Sequence, residues 1–166
     1  DEFTVNIALI KNHNPVLGVI YVPALSTLFY AYKNKGSHKL FIEENLDSMS
    51  GSIKITTLNK KMTDHLRVFE SRSHSNNEFN EWVNDNLKDY ELIKKGSSLK
   101  FCEISEGKAD LYPRFGPTSE WDIAAGHIIL IEAGGKLESV DCKKILYNNK
   151  ESVINPHFIA SCKLNS

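Results

Sequence analysis

The stretch that decides the fold is EGKADLYPRFGPTSEWDIAAGHIILIEAGGK, residues 106–136. Residues 110–112 are predicted to be extended, because Pro113 biases the residue before it away from the helical region. Phe115-Gly116-Pro117 predicts a turn. The stretch therefore predicts a strand and a turn in direct succession, and a helix follows them.

The helix is predicted over residues 120–133. Ser119, with an acid three positions later at Asp122, is a helix-start signal. Gly134-Gly135 ends the helix, because glycine adopts the left-handed turn at low cost. Apolar residues recur at helical spacing and predict one buried face: Ala124, Ala125, Ile128, Leu130 and Ile131.

Asp122 has two interpretations on this spacing. It is either a capping acid or a metal ligand, because an aspartate in the first helical turn beside a loop, followed by the small residues 124–126, leaves room for a cation and a phosphate. Composition and spacing leave both interpretations open.

Size and composition describe one ordinary globular domain. The chain has 166 residues, 41% apolar and 25% charged, with a formal net charge of −1. This charge gives no global attraction to a nucleic acid polymer or a membrane, so any anion site must be built locally. No apolar run approaches the roughly 18 residues that a membrane span needs.

The cysteines indicate free thiols in a reducing compartment. Cys102, Cys142 and Cys162 are odd in number, widely spaced and without a CxxC pair. This pattern predicts neither a disulfide framework nor a zinc site.

Residues 1–64 are predicted to form an antiparallel meander. Residues 2–10 alternate apolar and polar side chains, Asn12 to Pro15 is predicted as a turn, and further strands are predicted over 16–22, 28–32 and 37–42. Residues 43–64 are a polar connector with one short strand over 53–56.

Residues 65–166 are predicted to form a layered α/β unit with some parallel pairing. Strands and helices alternate there, and Ser75 with Glu78 predicts the capping box of a first helix. The fold class is therefore α/β, in which an antiparallel meander precedes an α/β C-terminal unit.

Three strand-to-helix junctions of this unit are candidate anion sites. They are 71–75, 96–98 and 113–122, where backbone N–H groups and hydroxyls meet at helix starts. Taken singly, such motifs are common helix caps and surface charges. Basic side chains accompany the junctions and favour a phosphorylated ligand: Arg72, His74, Lys100 and Arg114.

Several segments together resemble the C-terminal signature of the inositol monophosphatase superfamily. They are Gly107 to Asp110, Tyr112 to Arg114, Glu120 to Ala125 and Ala133 to Gly135. The resemblance is strongest to the 3′(2′),5′-bisphosphate nucleotidases and covers nearly the whole chain in order. It implies an inositol monophosphatase-like fold that is incomplete here, and a Mg²⁺ ion bound by the Asp122 carboxylate.

The resemblance also implies the substrate-binding residues. The Ser71-Arg72-Ser73-His74-Ser75 run is similar to the loop that contacts the bound nucleotide in that family, and Gly96 to Lys100 is similar to its Gly-x-x-x-Lys segment. The implied substrate-binding residues are Ser71, His74, Gly96, Lys100, Arg114 and Asp122.

The resemblance further implies Mg²⁺-dependent removal of the 3′-phosphate of adenosine 3′,5′-bisphosphate, which gives AMP. It also implies a role in sulfur metabolism in the cytoplasm, and it allows peripheral attachment to the inner membrane face. The family's central Asp-Pro-Ile/Leu-Asp-Gly-Thr metal motif does not occur in the sequence. We therefore expect the chain to be part of a longer enzyme, to lack a complete catalytic set and to be inactive alone.

Two alternatives stay open. The first is a phosphatase of the same superfamily that acts on inositol monophosphates or a sugar bisphosphate. The second is a non-catalytic module that binds nucleotide or phosphate, or that pairs with a separate N-terminal portion. In every case we expect the first strands to expose an edge and a face of their sheet. This exposure should lead either to self-association of the chain or to disorder near residues 33–60.

Overall fold

The computed structural model describes residues 3–42, 51–71 and 76–165. These residues form three α-helices, twelve β-strands and one 3₁₀ turn, Pro23–Leu25. The strands are β1 Val5–Lys11, β2 Asn14–Val22, β3 Thr27–Tyr32, β4 Ser37–Phe41, β5 Ile53–Ile55, β6 Asn59–Lys61, β7 Leu66–Ser71, β8 Tyr90–Lys95, β9 Leu111–Arg114, β10 Lys136–Ser139, β11 Phe158–Ser161 and β12 Lys163–Asn165. The helices are α1 Asn77–Asn86, α2 Leu99–Ser105 and α3 Glu120–Glu132.

The first sheet is the predicted antiparallel meander, in the order β1-β2-β3-β4-β5. The predicted turn over 12–15 is too long: only Asn12 and His13 turn, both at positive φ (50° and 61°), and Asn14 already pairs with Lys11. Two consecutive positive-φ residues are typical of the tight hairpin turn whose twist matches its strands. Strand β2 therefore begins two residues earlier than predicted.

The second sheet has the order β10-β11-β9-β7-β8. Strand β7 runs parallel to both β8 and β9, and the pairs with β11 are antiparallel, so the predicted mixture of pairings is confirmed. Strand β9 continues through Pro113, whereas the extended run was predicted to end at residue 112. It pairs with β7 only at Val68↔Leu111, so the N–H group that Pro113 lacks is not needed on that side.

Helix α3 begins at the predicted residue and ends one residue earlier than predicted, at Glu132, and its environment differs from the prediction. It is buried continuously from Ile123 to Leu130, and Ile131, predicted on the apolar face, is 39% exposed. A helix that is apolar all round is a buried helix. Helix α3 packs on the first sheet at Gly18, where an added Cβ would lie 2.6 Å from the Ala125 carbonyl oxygen.

Helix α1 begins one residue away from the predicted cap. Its N-cap is Asn76, whose side-chain oxygen accepts a hydrogen bond from Phe79 N at 3.0 Å, whereas the predicted Ser75 lies outside the described residues. The spacing of its apolar residues predicts a face of Phe79, Trp82, Val83 and Leu87, and these residues pack with Leu66, Val68 and Leu111 of the second sheet, Trp82 being only partly buried.

The fold class, an α/β chain with a meander followed by an α/β unit, is confirmed. Strand β12, which the sequence did not predict, pairs in parallel with β6 of the predicted connector. The division of the chain at residues 64 and 65 stays a prediction. Residues 33–42 and 51–60 form strands and turns, and the rest of the 33–60 segment lies outside the described residues. No helix in the described part of the chain is long and apolar enough to cross a membrane.

Candidate nucleotide and metal site

Three predicted site residues lie at one edge of the second sheet. Ser71 is the last residue of β7, Gly96 follows directly on β8, and Arg114 is the last residue of β9. These three strands are neighbours and run parallel, so their carboxyl ends meet at the same edge. Ligands of α/β proteins bind at such an edge.

A cavity of about 470 Å³ opens at this edge. It gathers five of the six predicted substrate or metal residues: Ser71, Gly96, Lys100, Arg114 and Asp122. His74, the sixth, lies outside the described residues. The remaining lining residues come from the start of the chain, the 97–98 loop and the first turns of α2 and α3, together with β9 and the loop after it: Phe3, Thr4, Asn6, Ser97, Ser98, Phe101, Tyr112, Pro117, Thr118 and Ile123.

The Asp122 carboxylate caps helix α3 and also faces this cavity. Its Oδ2 atom accepts a hydrogen bond from Ser119 N at 2.7 Å, and Asp122 N donates in return to Ser119 O at 2.9 Å. The residue nevertheless remains exposed. Both interpretations of Asp122 from the sequence are therefore geometrically compatible, because the cap bond uses one of the two carboxylate oxygens and the residue also lines the cavity.

Lys100 is a buried cation in the cavity wall, 4% exposed. Its Nζ donates to the carbonyls of Ser97 (3.0 Å) and Lys95 (3.2 Å) and lies 4.7 Å from the centre of the Tyr112 ring. The ammonium group thus holds the ends of the 95–97 segment together and places a positive charge beneath it.

Arg114 is the second buried cation of the cavity, 6% exposed. Its Nη2 donates to Pro117 O at 3.0 Å, whereas Nε is buried and has no hydrogen-bond partner among the described residues. A buried guanidinium group with an unused donor is costly unless an anion or acceptor meets it. Arg114 is therefore well suited to bind a negatively charged ligand.

Tyr112 and Asn6 are polar cavity residues that the sequence did not identify as site residues. Burial raises the pKa of Tyr112 to about 12, while the nearby Arg114 opposes and Asp122 adds to this shift, so the phenol stays protonated at neutral pH. Asn6 donates from Nδ2 to Ser98 Oγ at 3.0 Å. The only sign of Asn6 in the sequence is that it is polar, whereas Ala8 and Ile10 on the same face of the first strand are apolar.

The loop before α2 has a strained backbone at the cavity. Ser97 adopts φ 50°, in the left-handed region that favours glycine. Such strain persists only when the surroundings hold it, and it concentrates at functional sites. Here the Lys100 ammonium holds the Ser97 carbonyl.

The described cavity lining contains one candidate metal ligand, Asp122. Among them, no group of three or more histidine, cysteine, aspartate or glutamate side chains is arranged to hold an ion. Among the described residues that line the cavity, Asp122 is the one with a carboxylate. Carboxylate oxygens are the ligands that Mg²⁺ prefers. The residues present therefore fit a divalent cation as one ligand of a larger set.

Comparison with known sequences relates the chain to one protein family. The sequence profile of the inositol monophosphatase family matches residues 1–164. The chain is 39% identical over 158 residues to the 3′(2′),5′-bisphosphate nucleotidase CysQ of Salmonella typhimurium, and 36% identical over 161 residues to CysQ of Escherichia coli K12. These alignments cover 95% and 96% of this chain but 59% and 60% of the relatives, so the chain spans about three fifths of their length.

Comparison with solved structures gives the same relationship. The structure is similar to CysQ from Bacteroides thetaiotaomicron, described as a bacterial member of the inositol monophosphatase family, with a TM-score of 0.85 and 40% sequence identity. That match covers 98% of this chain and 63% of the solved one.

Proposed function

The chain belongs to the inositol monophosphatase family, and from that premise we propose that it is the substrate-binding part of a Mg²⁺-dependent phosphatase. The proposed reaction removes the 3′-phosphate of adenosine 3′,5′-bisphosphate and leaves AMP. The 3′(2′),5′-bisphosphate nucleotidases among its relatives support this substrate class.

One observation carries the proposal. Two buried cations, Lys100 and Arg114, and one exposed carboxylate, Asp122, line the same cavity at the carboxyl ends of three parallel strands. Cations that are already desolvated attract a phosphate strongly, because their charge is weakly screened. A carboxylate beside these cations would repel a phosphate unless a metal ion bound between the two anions.

Each cavity residue has a proposed role toward the ligand. Arg114 donates from Nε to a phosphate oxygen, and a charge-assisted hydrogen bond of this kind is shorter and stronger than a neutral one. Lys100 supplies positive charge and keeps the 95–97 segment in place for the ligand. Ser71, Gly96 and His74 complete the proposed substrate contacts.

Asp122 is the proposed Mg²⁺ ligand of this chain. When bound, the ion would stabilise the charge of the phosphoryl group and lower the pKa of a bound water. Asp122 would hold its position through Ser119 N, which fixes one carboxylate oxygen. We propose that the remaining carboxylates come from an N-terminal portion of the same enzyme, so the described residues alone do not complete the site.

Phosphate release from adenosine 3′,5′-bisphosphate in the presence of Mg²⁺ tests the proposed reaction. The chain alone should release no more phosphate than its Asp122→Asn variant. The protein lengthened by the segment encoded upstream of Asp1 should turn over, and Asp122→Asn should lower its rate by at least about a hundredfold, since a metal ligand contributes several kcal/mol.

The outcomes separate the candidate functions. Turnover by the chain alone, well above the Asp122→Asn control, would contradict the proposed division of the site. If the lengthened protein hydrolyses inositol monophosphate but not adenosine 3′,5′-bisphosphate, the substrate proposal is wrong. If it binds AMP and hydrolyses neither substrate, the protein is a non-catalytic binding module.

A further inference from the structure

A hydrogen-bonded relay links the first strand to the cavity wall. Asn6 Nδ2 donates to Ser98 Oγ at 3.0 Å, and Ser98 Oγ donates to the Asp122 carbonyl oxygen at 2.8 Å. The relay joins strand β1, the loop before α2 and the first turn of α3. The relay therefore connects the strained loop on one side of the cavity with Asp122 on the other side.

The chemistry of the three groups fixes the direction of the relay. The carbonyl oxygen of Asp122 only accepts, so the single hydroxyl proton of Ser98 must point toward it. Ser98 must then accept from Asn6, which requires the NH₂ side of the Asn6 amide to face the serine. The orientation of the amide is thus determined by its neighbours.

This orientation leaves the other end of the amide unpaired. Asn6 Oδ1 is buried and has no hydrogen-bond partner among the described residues. A buried acceptor without a partner costs free energy of folding, and a leucine, which has almost the same shape, would not bear that cost. On the same inward face, Ala8 and Ile10 pack against the core. Folding stability therefore does not explain an amide at position 6.

We propose that Asn6 is a positioning residue for the cavity. Through Ser98 it holds the 96–98 loop and the backbone of Asp122 at a fixed separation. This separation sets the distance between the phosphate side and the cation side of the site. The inference deepens the proposed function and rests on it, because it assumes that the cavity binds a nucleotide phosphate.

The close packing of α2 against α3 makes such a fixed separation physically reasonable. An added Cβ at Gly126 would lie 2.5 Å from the Phe101 ring, so the two helices touch there without room for a side chain. Gly126 sets the distance between the helices one turn beyond Asp122, and the relay sets it at Asp122 itself. Loss of the relay should therefore loosen the cavity end of α3 and leave the rest of the packing intact.

Paired measurements of AMP affinity and unfolding free energy test the proposal. Asn6→Leu should weaken AMP binding, measured by calorimetric titration in Mg²⁺, about tenfold, while the unfolding free energy stays the same or rises. Ser98→Ala should weaken AMP binding by a similar factor, and Ser98→Thr, which keeps the hydroxyl, should restore it. Ile10→Val, on the same strand face, is the matched control and should bind AMP like the unchanged chain.

Two results would overturn the positioning role. One is AMP affinity that is unchanged in both Asn6→Leu and Ser98→Ala. The other is a loss of stability in Asn6→Leu that accounts for the whole loss of affinity, which would make the residue merely structural.

A ligand-free readout keeps this test separate from the proposed function. The side-chain NH₂ resonances of Asn6 should shift in Ser98→Ala and return in Ser98→Thr. If the unchanged chain binds no AMP, the nucleotide-binding proposal fails. The relay then stands only if these resonances respond, and unmoved resonances in Ser98→Ala would show that it does not exist in solution.

Discussion

At the scale of single residues, Asp122 combines a capping hydrogen bond with a position in the cavity lining. Asn keeps an oxygen that accepts from Ser119 N, whereas Ala has none. Asp122→Asn should therefore change the unfolding free energy by less than about 0.5 kcal/mol, and Asp122→Ala should lower it by about 1 kcal/mol. Urea unfolding of both variants checks this, and equal losses would show that the cap does not depend on the side-chain oxygen.

His127 gives the structure a pH-dependent stability. It is buried, and its Nδ1 lies 2.8 Å from the Tyr147 hydroxyl. Burial, with a smaller contribution from Lys144, lowers the pKa of His127 to about 4. The unfolded state binds a proton near pH 6.5 and the folded state does not, so stability should fall as the pH drops from about 6.5 to about 4.

The pKa shift of His127 corresponds to a loss of roughly 3 kcal/mol of unfolding free energy between about pH 6.5 and about pH 4. Unfolding free energies measured in steps between pH 7 and pH 4 should show the slope, and His127→Gln should flatten it. A slope that is the same in His127→Gln would assign the pH dependence to other groups.

The sequence predicted the site residues to the extent that strand ends could be located. The strand ends gave the junctions at Ser71, Gly96 and Arg114 as candidate anion sites, whereas the resemblance implied that these residues bind substrate. Asn6 and Tyr112 could not be identified, because their position at the cavity depends on how β1 meets α3 and on the rotation of β9. These are long-range contacts that periodicity does not encode.

At the scale of elements, α3 depends on a glycine in the neighbouring strand. An added Cβ at Gly18 would meet the Ile128 side chain and the Ala125 backbone, and backbone cannot give way cheaply. Gly18→Ala should therefore destabilise the chain by about 2 kcal/mol, although alanine by itself favours a strand over glycine.

Gly51→Ala is the matched control for Gly18→Ala. Nothing lies within 4 Å of its added Cβ, so its cost is limited to the positive φ of 87°. That backbone strain amounts to about 1 kcal/mol. Thermal unfolding of the two variants compares them, and a Gly18→Ala variant as stable as the unchanged chain would show that α3 is not tightly packed on β2.

Element boundaries were predicted well where one signal dominated and poorly where two competed. Alternation gave the meander, and the Ser119 and Gly134 signals gave both ends of α3. Pro113 is a strand breaker in the sequence, yet β9 continues because its neighbour on the β7 side pairs only at Leu111. The exposed Ile131 was misplaced, because a helix buried on nearly all sides has no single apolar face to extend.

At the scale of the whole molecule, no described residue covers the outward face of β1 or pairs with its free edge. Strand β1 lies at the edge of its sheet, and its outward residues Val5, Ile7 and Leu9 are 48%, 61% and 55% exposed. An apolar face beside an unpaired edge promotes association. We propose that an N-terminal portion of the same enzyme covers this face, and that copies of the chain associate through it when that portion is absent.

Sedimentation velocity over a range of concentrations tests this association. The chain should form dimers or larger species as its concentration rises, and Ile7→Lys should shift the distribution to monomer. Asn80→Lys adds the same charge at an exposed position on α1, which packs on the second sheet, and should not. A monomer at every concentration would contradict the proposed association.

The central claim is that the cavity beside Arg114 and Asp122 binds a nucleotide phosphate, and calorimetric titration with AMP in Mg²⁺ tests it most directly. We expect measurable binding by the chain, at least about tenfold weaker binding by Arg114→Met, and unchanged binding by Lys88→Met, which removes an exposed charge elsewhere. No binding by the chain, or equal affinity in Arg114→Met, would contradict it.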